Sequence, residues 1–189
     1  MKLHSIGLLV AFMMMGSLNA QNINIGLKGG LNSYTIANGN FDQRTGLHLG
    51  LLGHIHVSDN FGLQPEIYYS AQGAKFGNSS TNLNLDYINI PVLFQYMFDN
   101  GFRLQAGPQL GFLVSANTVA GNTTVDVKND FKSIDLGVSI GASYIHTPSG
   151  FGVDARYNIG TSNISEIASN NYKNQGLQLG VFYLFNHTD

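Results

Sequence analysis

Two long runs of alternating polarity, joined by a very short turn, constrain the fold of this sequence more than any other feature. The runs are residues 85–98 and 102–115, and only Asp99, Asn100 and Gly101 lie between them. Successive side chains of a strand point to opposite faces, so the second run has one apolar face and one face of mostly polar or glycine residues. Runs of about 13 residues are roughly twice the usual strand length and suit a tilted crossing of a bilayer. The stretch therefore predicts a transmembrane β-hairpin.

The same alternation recurs along the chain and predicts eight strands. Their approximate bounds are 23–34, 45–57, 61–72, 85–98, 102–115, 132–146, 151–161 and 174–185. Long connections, such as 36–44, 73–84 and 116–131, alternate with short turns at 58–60, 99–101 and 147–150. An even strand number with short turns on one side is typical of outer-membrane barrels, whose termini are both periplasmic. The sequence therefore predicts an all-β, eight-stranded antiparallel up-and-down transmembrane β-barrel.

The two faces of the predicted strands differ sharply in charge. Away from the strand ends, the apolar face holds no charged residue, Asn, Gln or His in any of the eight strands. Six charged residues, three of each sign, point the other way: Lys28, Glu66, Arg103, Asp135, Asp154 and Arg156. An Arg facing lipid at the midplane costs about 2–4 kcal/mol, so a bilayer would enforce this asymmetry. An aromatic girdle is also predicted near the short turns, from Phe61, Phe98, Phe102, Phe151 and Phe185.

Three prolines complicate the predicted register. Pro65, Pro91 and Pro108 fall inside strands, where each removes a backbone donor from the ladder. Bulges at these positions would shift the assigned faces by one residue. The sequence therefore leaves the register near the three prolines open.

The first 20 residues are predicted to be a secretory signal peptide, and residues 21–189 a single outer-membrane barrel domain. Lys2 gives a basic start, residues 6–15 are apolar but too short to cross a bilayer, and cleavage is expected before Gln21. The chain has no cysteine, which excludes a lipid-anchored start, a disulfide framework and a thiolate metal site. After removal of the predicted signal peptide, which contains Lys2, the chain has eight Lys and Arg and eleven Asp and Glu. It therefore has no net positive charge that would attract nucleic acid.

The six inward charges admit two interpretations, an ion path or ligand site and a structural lumen network. An eight-stranded barrel has room mainly for its own side chains, and buried charges need partners. We therefore predict a paired structural network and no wide pore. Inward glycines would make room for the long basic side chains: Gly107, Gly111, Gly137 and Gly141.

Histidines and serines on the inward face raise the questions of metal binding and catalysis. His54 and His56 lie two residues apart with His48 farther along, but no carboxylate or cysteine pattern nearby completes a metal site. A triad of Ser70 or Ser139 with His48 and Asp154 has no supporting catalytic motif. We therefore expect no metal, no cofactor and no enzymatic activity.

Three segments carry a family resemblance: GLKGGLN at 26–32, LDYINIPVLFQY at 85–96 with its Ile90-Pro91 pair, and GPQLGFLV at 107–114. With them the chain resembles the PorT-like outer-membrane β-barrel family of Bacteroidetes, often described as porin family proteins. The resemblance implies an integral outer-membrane barrel without a shared catalytic site. One branch is tied to type IX protein secretion, and no residue here selects that branch. The ending departs from the common outer-membrane pattern, because residues 186–189 follow the last aromatic residue, Phe185.

The function expected from these features is that of a structural or interaction protein of the outer membrane. It would contact membrane lipid through its apolar face and protein or glycan partners through its long outer loops. The alternative is a secreted, soluble lipocalin-like barrel, in which the apolar face would line a ligand cavity and the polar face would meet water. The two hypotheses assign opposite directions to the same side chains.

Overall fold

The structure, a computed structural model, describes residues 23–77 and 80–185 and forms a closed antiparallel barrel. The predicted signal peptide (residues 1–20), Asn78, Ser79 and the residues after Phe185 lie outside the described part. The strands are β1 (Ile23–Ala37), β2 (Phe41–His56), β3 (Phe61–Phe76), β4 (Thr81–Met97), β5 (Phe102–Ala120), β6 (Thr123–Asp126), β7 (Ile134–His146), β8 (Phe151–Gly160) and β9 (Lys173–Leu184).

Eight of these strands make the barrel wall in chain order. β1 pairs with β2 and β9, and the pairing of β4 with β5 completes the ring. The short strand β6 pairs only with the end of β5 and stands outside the wall. The fold prediction of an eight-stranded up-and-down barrel is therefore confirmed. In the described part of the chain, no helix is both long and apolar enough to cross a membrane.

The two ends of the barrel differ in their connections, and we call them the base and the apex. The base carries the connections 57–60, 98–101 and 147–150, and the apex carries 38–40, 77–80, 121–133 and 161–172. Two base turns place glycine in the left-handed region, Gly101 at φ 84° and Gly150 at φ 72°. Glycine adopts this conformation without the steric cost that a Cβ would bring. The tight base turns therefore follow from the sequence.

The predicted faces are confirmed, and they separate the two hypotheses. Leu104 and Leu179 are 48% and 51% exposed on the outside of the barrel, whereas Arg103 and Asp135 are 4% and 9% exposed in the lumen. A lipocalin-like barrel requires the reverse arrangement. The lipocalin alternative is therefore not favoured, and we call the apolar outer face the belt.

The prolines leave the register undisturbed. Pro65 pairs with Val92, and the β3–β4 register is the same at Tyr68 and Asn89 beyond it. The β4–β5 and β5–β7 registers likewise continue past the other two prolines. Register shifts occur instead nearer the apex, between residues 43 and 48 of β2 and between residues 86 and 87 of β4. The face assignments through the membrane-spanning parts therefore need no correction at the prolines.

The predicted apex loops are too long, and this is the main correction to the fold. β3 extends to Phe76 and β4 begins at Thr81, so the expected loop 73–84 shrinks to residues 77–80, and β6 lies within the expected loop 116–131. Ladder pairing satisfies the backbone groups of these extensions. Their apolar side chains also pack inward, because Ile36, Ala74 and Leu83 belong to one buried cluster.

Aromatic rings gather at the base end of the belt. The five predicted phenylalanines are all at least one-third exposed, and three tyrosines join them: Tyr96, Tyr144 and Tyr183. Phe61 and Tyr96 lie 5.3 Å apart between ring centroids, and Phe151 and Tyr183 lie 4.7 Å apart. Such a girdle suits the interface between hydrocarbon and headgroups.

Candidate functional sites in the lumen and at the apex

Four of the six predicted lumen residues form one ion-pair network. We call Lys28, Glu66, Asp154 and Arg156 the charged layer. Arg156 donates from Nη1 and Nη2 to the two carboxylate oxygens of Glu66 at 2.8 and 2.9 Å, and from Nε to Asp154 Oδ2 at 3.0 Å. Lys28 Nζ lies 3.1 Å from Glu66 Oε2 and 3.6 Å from Asp154 Oδ2. Two cations therefore balance two carboxylates across β1, β3 and β8.

The other two predicted residues lie apart from the charged layer. Asp135, near the apex end of β7, accepts hydrogen bonds from Ser162 Oγ and Asn174 Nδ2, both at 2.9 Å. Arg103 lies at the base, in a cleft that His56, Asp59 and Asp99 also line. The structure thus places all six side chains inside the barrel but brings only four together. The structural role of the set remains a prediction.

The room for the charged layer comes from glycine in one of the four predicted positions. A Cβ at Gly141 would lie against the main-chain carbonyl oxygen of Ala155 and 2.6 Å from Arg156 Cβ, both closer than packed atoms allow. Gly107 and Gly137 also face main-chain carbonyls, those of Val92 and Ile159, and Gly111 faces Asn89. Most inward glycines therefore allow close strand approach rather than space for a basic side chain.

Amide side chains connect the charged layer to the base, and the sequence analysis did not predict these contacts. Gln64 donates to Glu66 Oε1 at 2.7 Å, and Gln95 donates to Gln64 at 2.8 Å and to Gln105 at 2.8 Å. The sequence did carry a signal for these contacts, because Gln64, Gln95 and Gln105 all lie on the inward face of their strands. Alternation gives the face of each residue but not the distance between residues across the lumen.

The serines considered for catalysis contact amides. Ser70 Oγ accepts hydrogen bonds from Asn32 and Gln72, and Ser139 Oγ donates to Asn158. The ring of His48 lies with Nδ1 2.7 Å from Asn32 Oδ1. These contacts provide no serine activated by a histidine base in the described lumen.

The paired histidines lie together near the base. The rings of His54 and His56 are 4.5 Å apart, and His54 is fully buried. Among residues 23–77 and 80–185, no group of three or more His, Cys, Asp or Glu side chains is arranged to hold a metal ion. The histidine pair therefore supplies at most two ligands of the kind a closed metal site requires.

Two apolar clusters bound the polar middle of the lumen. The apex cluster contains Ile36, Ala74, Leu83, Leu85, Tyr87, Leu113, Ala116 and Ile164. The base cluster contains Leu52, Ile145, Phe182 and Leu184. Gly152 lies directly against the ring of Phe182, at a distance that leaves no room for a Cβ. Side chains therefore fill the lumen, as expected for a barrel of this size.

A cleft of about 200 Å³ opens at the apex, above the apex cluster. We call it the apex cleft. Each of the four apex connections contributes to its lining, either directly or through the strand ends next to it. Its lining includes Phe41, Phe76, Phe131, Tyr172, Ile167 and Asp130. Phe41 contacts both Phe76 and Tyr172, with ring centroids 5.3 and 5.4 Å apart. Alternation along the strands did not predict this site, although the aromatic residues within the predicted long connections were a signal for it.

The charges outside the lumen are unevenly distributed. Outside the lumen, the described basic residues all lie toward the apex: Arg44, Lys75, Lys128, Lys132 and Lys173. Five acidic residues accompany them: Asp42, Asp86, Asp126, Asp130 and Glu166. The base connections carry Asp59 and Asp99. The apex is therefore highly charged but close to neutral.

Solved structures of bacterial proteins share the fold of this chain. Neisserial surface protein A is 16% identical, with a TM-score of 0.58 over 88% of this chain and 100% of that one. Ail, the attachment invasion locus protein of Yersinia pestis, is 16% identical, with a TM-score of 0.54 over 86% of this chain and 97% of that one. Identities this low establish similarity of fold alone. No curated protein matches the sequence.

A family model provides the sequence-level match. The model of the outer membrane protein β-barrel domain matches residues 19–166, which is more than half of the chain. The match covers seven of the eight wall strands. The apolar outer face and the polar lumen of the barrel agree with it. The chain therefore belongs to the outer membrane protein β-barrel domain family.

Proposed function

We propose that this outer-membrane barrel is a non-enzymatic anchor that presents the apex cleft to a protein or glycan partner outside the cell. The filled lumen fits a protein that acts at its surface rather than through a pore. The single observation that carries the proposal is the convergence of all four apex regions on one cleft. Aromatic rings and a carboxylate line that cleft together.

The lining of the apex cleft favours an uncharged or weakly cationic group. Aromatic faces attract apolar surfaces and cations, and Asp130 adds a hydrogen-bond acceptor. A structure of Ail has been solved in complex with the heparin analogue sucrose octasulfate, with a TM-score of 0.52 and 16% identity over 87% of this chain and 99% of that one. The apex of the present chain has as many acidic as basic residues, so it offers no net positive field for a polysulfate.

Arrays of neutral and sulfated glycans and of short peptides would test this function. The barrel, held in lipid nanodiscs, would be applied as wild type and as the double variant Ile167→Ser, Asp130→Asn. We expect the wild type to bind at least one neutral probe and the double variant to bind it at least tenfold more weakly. Ile167 is half exposed and Asp130 is exposed, so neither substitution opens the core.

The matched control changes the same kinds of residue outside the cleft. Val125→Ser with Asp126→Asn alters exposed residues of β6 and should leave binding unchanged. Equal loss in both double variants, or wild-type binding no greater than that of empty nanodiscs, would contradict the proposal. Strong selection of sulfated probes would contradict the preference for neutral ligands.

The export, orientation and finer family membership belong to the same proposal. We infer that residues 1–20 are removed as a signal peptide, that both termini are periplasmic, and that the chain is PorT-like. Amino-terminal sequencing of the mature protein should begin at Gln21. A membrane-impermeant thiol reagent should label Val125→Cys on intact cells but label Asp99→Cys only after cell breakage. The chain contains no cysteine that would obscure the result.

A further inference from the structure

A groove of about 380 Å³ interrupts the belt on the side formed by β5, β7, β8 and β9. We call it the belt groove. Its outward lining side chains are Phe102, Ala142, Tyr144, Val153, Ala155 and Leu179. Ser143 and Asp154 also border it, but their side chains are buried in the lumen, so they contribute main chain there. The surface presented to the membrane is therefore apolar.

The strand register explains the depression. One row of paired residues across four strands reads Leu104, Ala142, Ala155 and Leu179. Two small side chains thus lie between two large ones that stand three strand spacings apart, or roughly 14 Å. The next row toward the base pairs Tyr144 with Phe102 and Val153, and closes the groove at the aromatic girdle. The depression is about one side chain deep.

The shape and position of the groove identify what fills it. It continues the lipid-facing belt, and its floor begins one residue row inside the girdle, at the depth where acyl chains start. A polymethylene chain is narrow enough to enter a depression of this depth. The side chains of Leu104 and Leu179 occupy part of the span between their strands, so a partner helix, about 10–12 Å across with its side chains, would meet them before it reached the alanines.

We propose that the belt groove is a seat for one acyl chain of a phospholipid, held there longer than the chains around the rest of the barrel. The surrounding bilayer is already apolar, so the gain is van der Waals contact: a chain lying along the alanines touches protein atoms on more sides than the convex belt allows. The proposed orientation would place this lipid in the periplasmic leaflet. Binding of the chain does not depend on that orientation.

Native mass spectrometry of the intact barrel, with phosphatidylethanolamine as the probe, would test the seat. We expect one phospholipid to remain on the wild-type protein at a detergent concentration that strips the others. Filling the groove with Ala142→Leu and Ala155→Leu should lower that occupancy at least tenfold. These substitutions place apolar side chains toward lipid, so the barrel should still fold, which heat-modifiable gel migration would verify.

The matched control is Ala106→Leu, an exposed belt alanine that does not line the groove. It should retain the phospholipid at wild-type occupancy. Unchanged occupancy in the filled variant, equal loss in the control, or no lipid on the wild type would overturn the proposal. The thiol-labelling experiment on cells reports orientation separately, so a wrong orientation and a missing seat give different results.

A photo-crosslinker at Ala155→Cys would identify the contact directly, since the chain has no other cysteine. In proteoliposomes it should attach to phospholipid. A crosslink mainly to a second copy of the chain would overturn the proposal and make the groove an interface between barrels.

Discussion

The charged layer and the apex cleft both contain charged side chains, but they differ in how each charge is surrounded. In the charged layer, every side chain contacts at least one opposite charge at 3.6 Å or less, and all four are buried. At the apex cleft, Asp130 is exposed. Exposed charges are screened and add little to stability, whereas a buried charge that loses its partner is costly. The comparison predicts that the charged layer contributes more to the stability of the barrel than the exposed charges of the apex do.

The sharpest test compares a glutamate of the charged layer with a glutamate in an apex connection. Glu66→Gln leaves Lys28 and Arg156 with a single carboxylate between them, because Glu66 pairs with both. Removing one partner from a buried ion pair typically costs about 3–5 kcal/mol, so we expect a loss of that size in the free energy of unfolding. Urea unfolding followed by circular dichroism and gel migration would measure it, since the chain has no tryptophan.

Glu166→Gln is the matched control at the apex. Glu166 is exposed in the connection 161–172, so its loss should change stability by no more than about 0.5 kcal/mol. If the two variants unfold at the same urea concentration, the charged layer does not stabilise the barrel and the contrast with the apex is lost.

The second test compares two residues of equal exposure. Ile140 and Val125 are 52% and 51% exposed, but Ile140 lies in the belt at the middle of β7 and Val125 on β6 at the apex. Ile140→Arg should cost about 2–4 kcal/mol in lipid vesicles, because an Arg near the bilayer midplane is poorly solvated. Val125→Arg should cost about 0.5 kcal/mol or less. Similar costs at both sites would mean that the belt does not face hydrocarbon.

Sequence reasoning succeeded where one physical constraint acts on every second residue. Lipid outside and a crowded lumen inside fix the direction of each wall side chain, so Leu104 and Arg103 were assigned correctly from alternation alone. The prolines did not shift the faces, because the strands pair in the same register on both sides of each proline. Strand number and the short base turns followed from the same regularity.

The same reasoning failed where that constraint ends. Above the membrane, Leu83 lies in a stretch that looked like a solvated loop, yet it is buried in the apex cluster. The apex cleft brings Phe41 beside Tyr172, which are far apart in sequence. The charged layer was predicted only as a set of inward charges, because alternation does not give the stagger between strands. Its division into four paired residues and two separate ones required the register.

A smaller effect is expected from a single methyl group placed in the lumen or on the belt. Gly152→Ala directs its Cβ into the ring of Phe182 in the base cluster, and overpacking of this kind costs about 1–3 kcal/mol. Gly53→Ala, on the belt side, meets Pro65 Cγ at 3.6 Å and Pro65 O at 3.9 Å, both ordinary contacts. Urea midpoints of the two variants should therefore differ. Equal midpoints would show that Phe182 can move aside, and that the base cluster is less tightly packed than the charged layer above it.

The smallest effect should come from an apex lysine that makes a good hydrogen bond. Lys128 donates from Nζ to the carbonyl oxygen of Val114 at 2.7 Å, a shorter contact than any that Lys28 makes in the charged layer. Lys128 is nevertheless exposed, so water can replace the bond when the side chain is removed. We expect Lys128→Ala to change the free energy of unfolding by about 0.5 kcal/mol or less, well below the cost of Glu66→Gln. A cost of several kcal/mol, measured in the same urea series, would show that distance rather than burial sets the strength of these contacts.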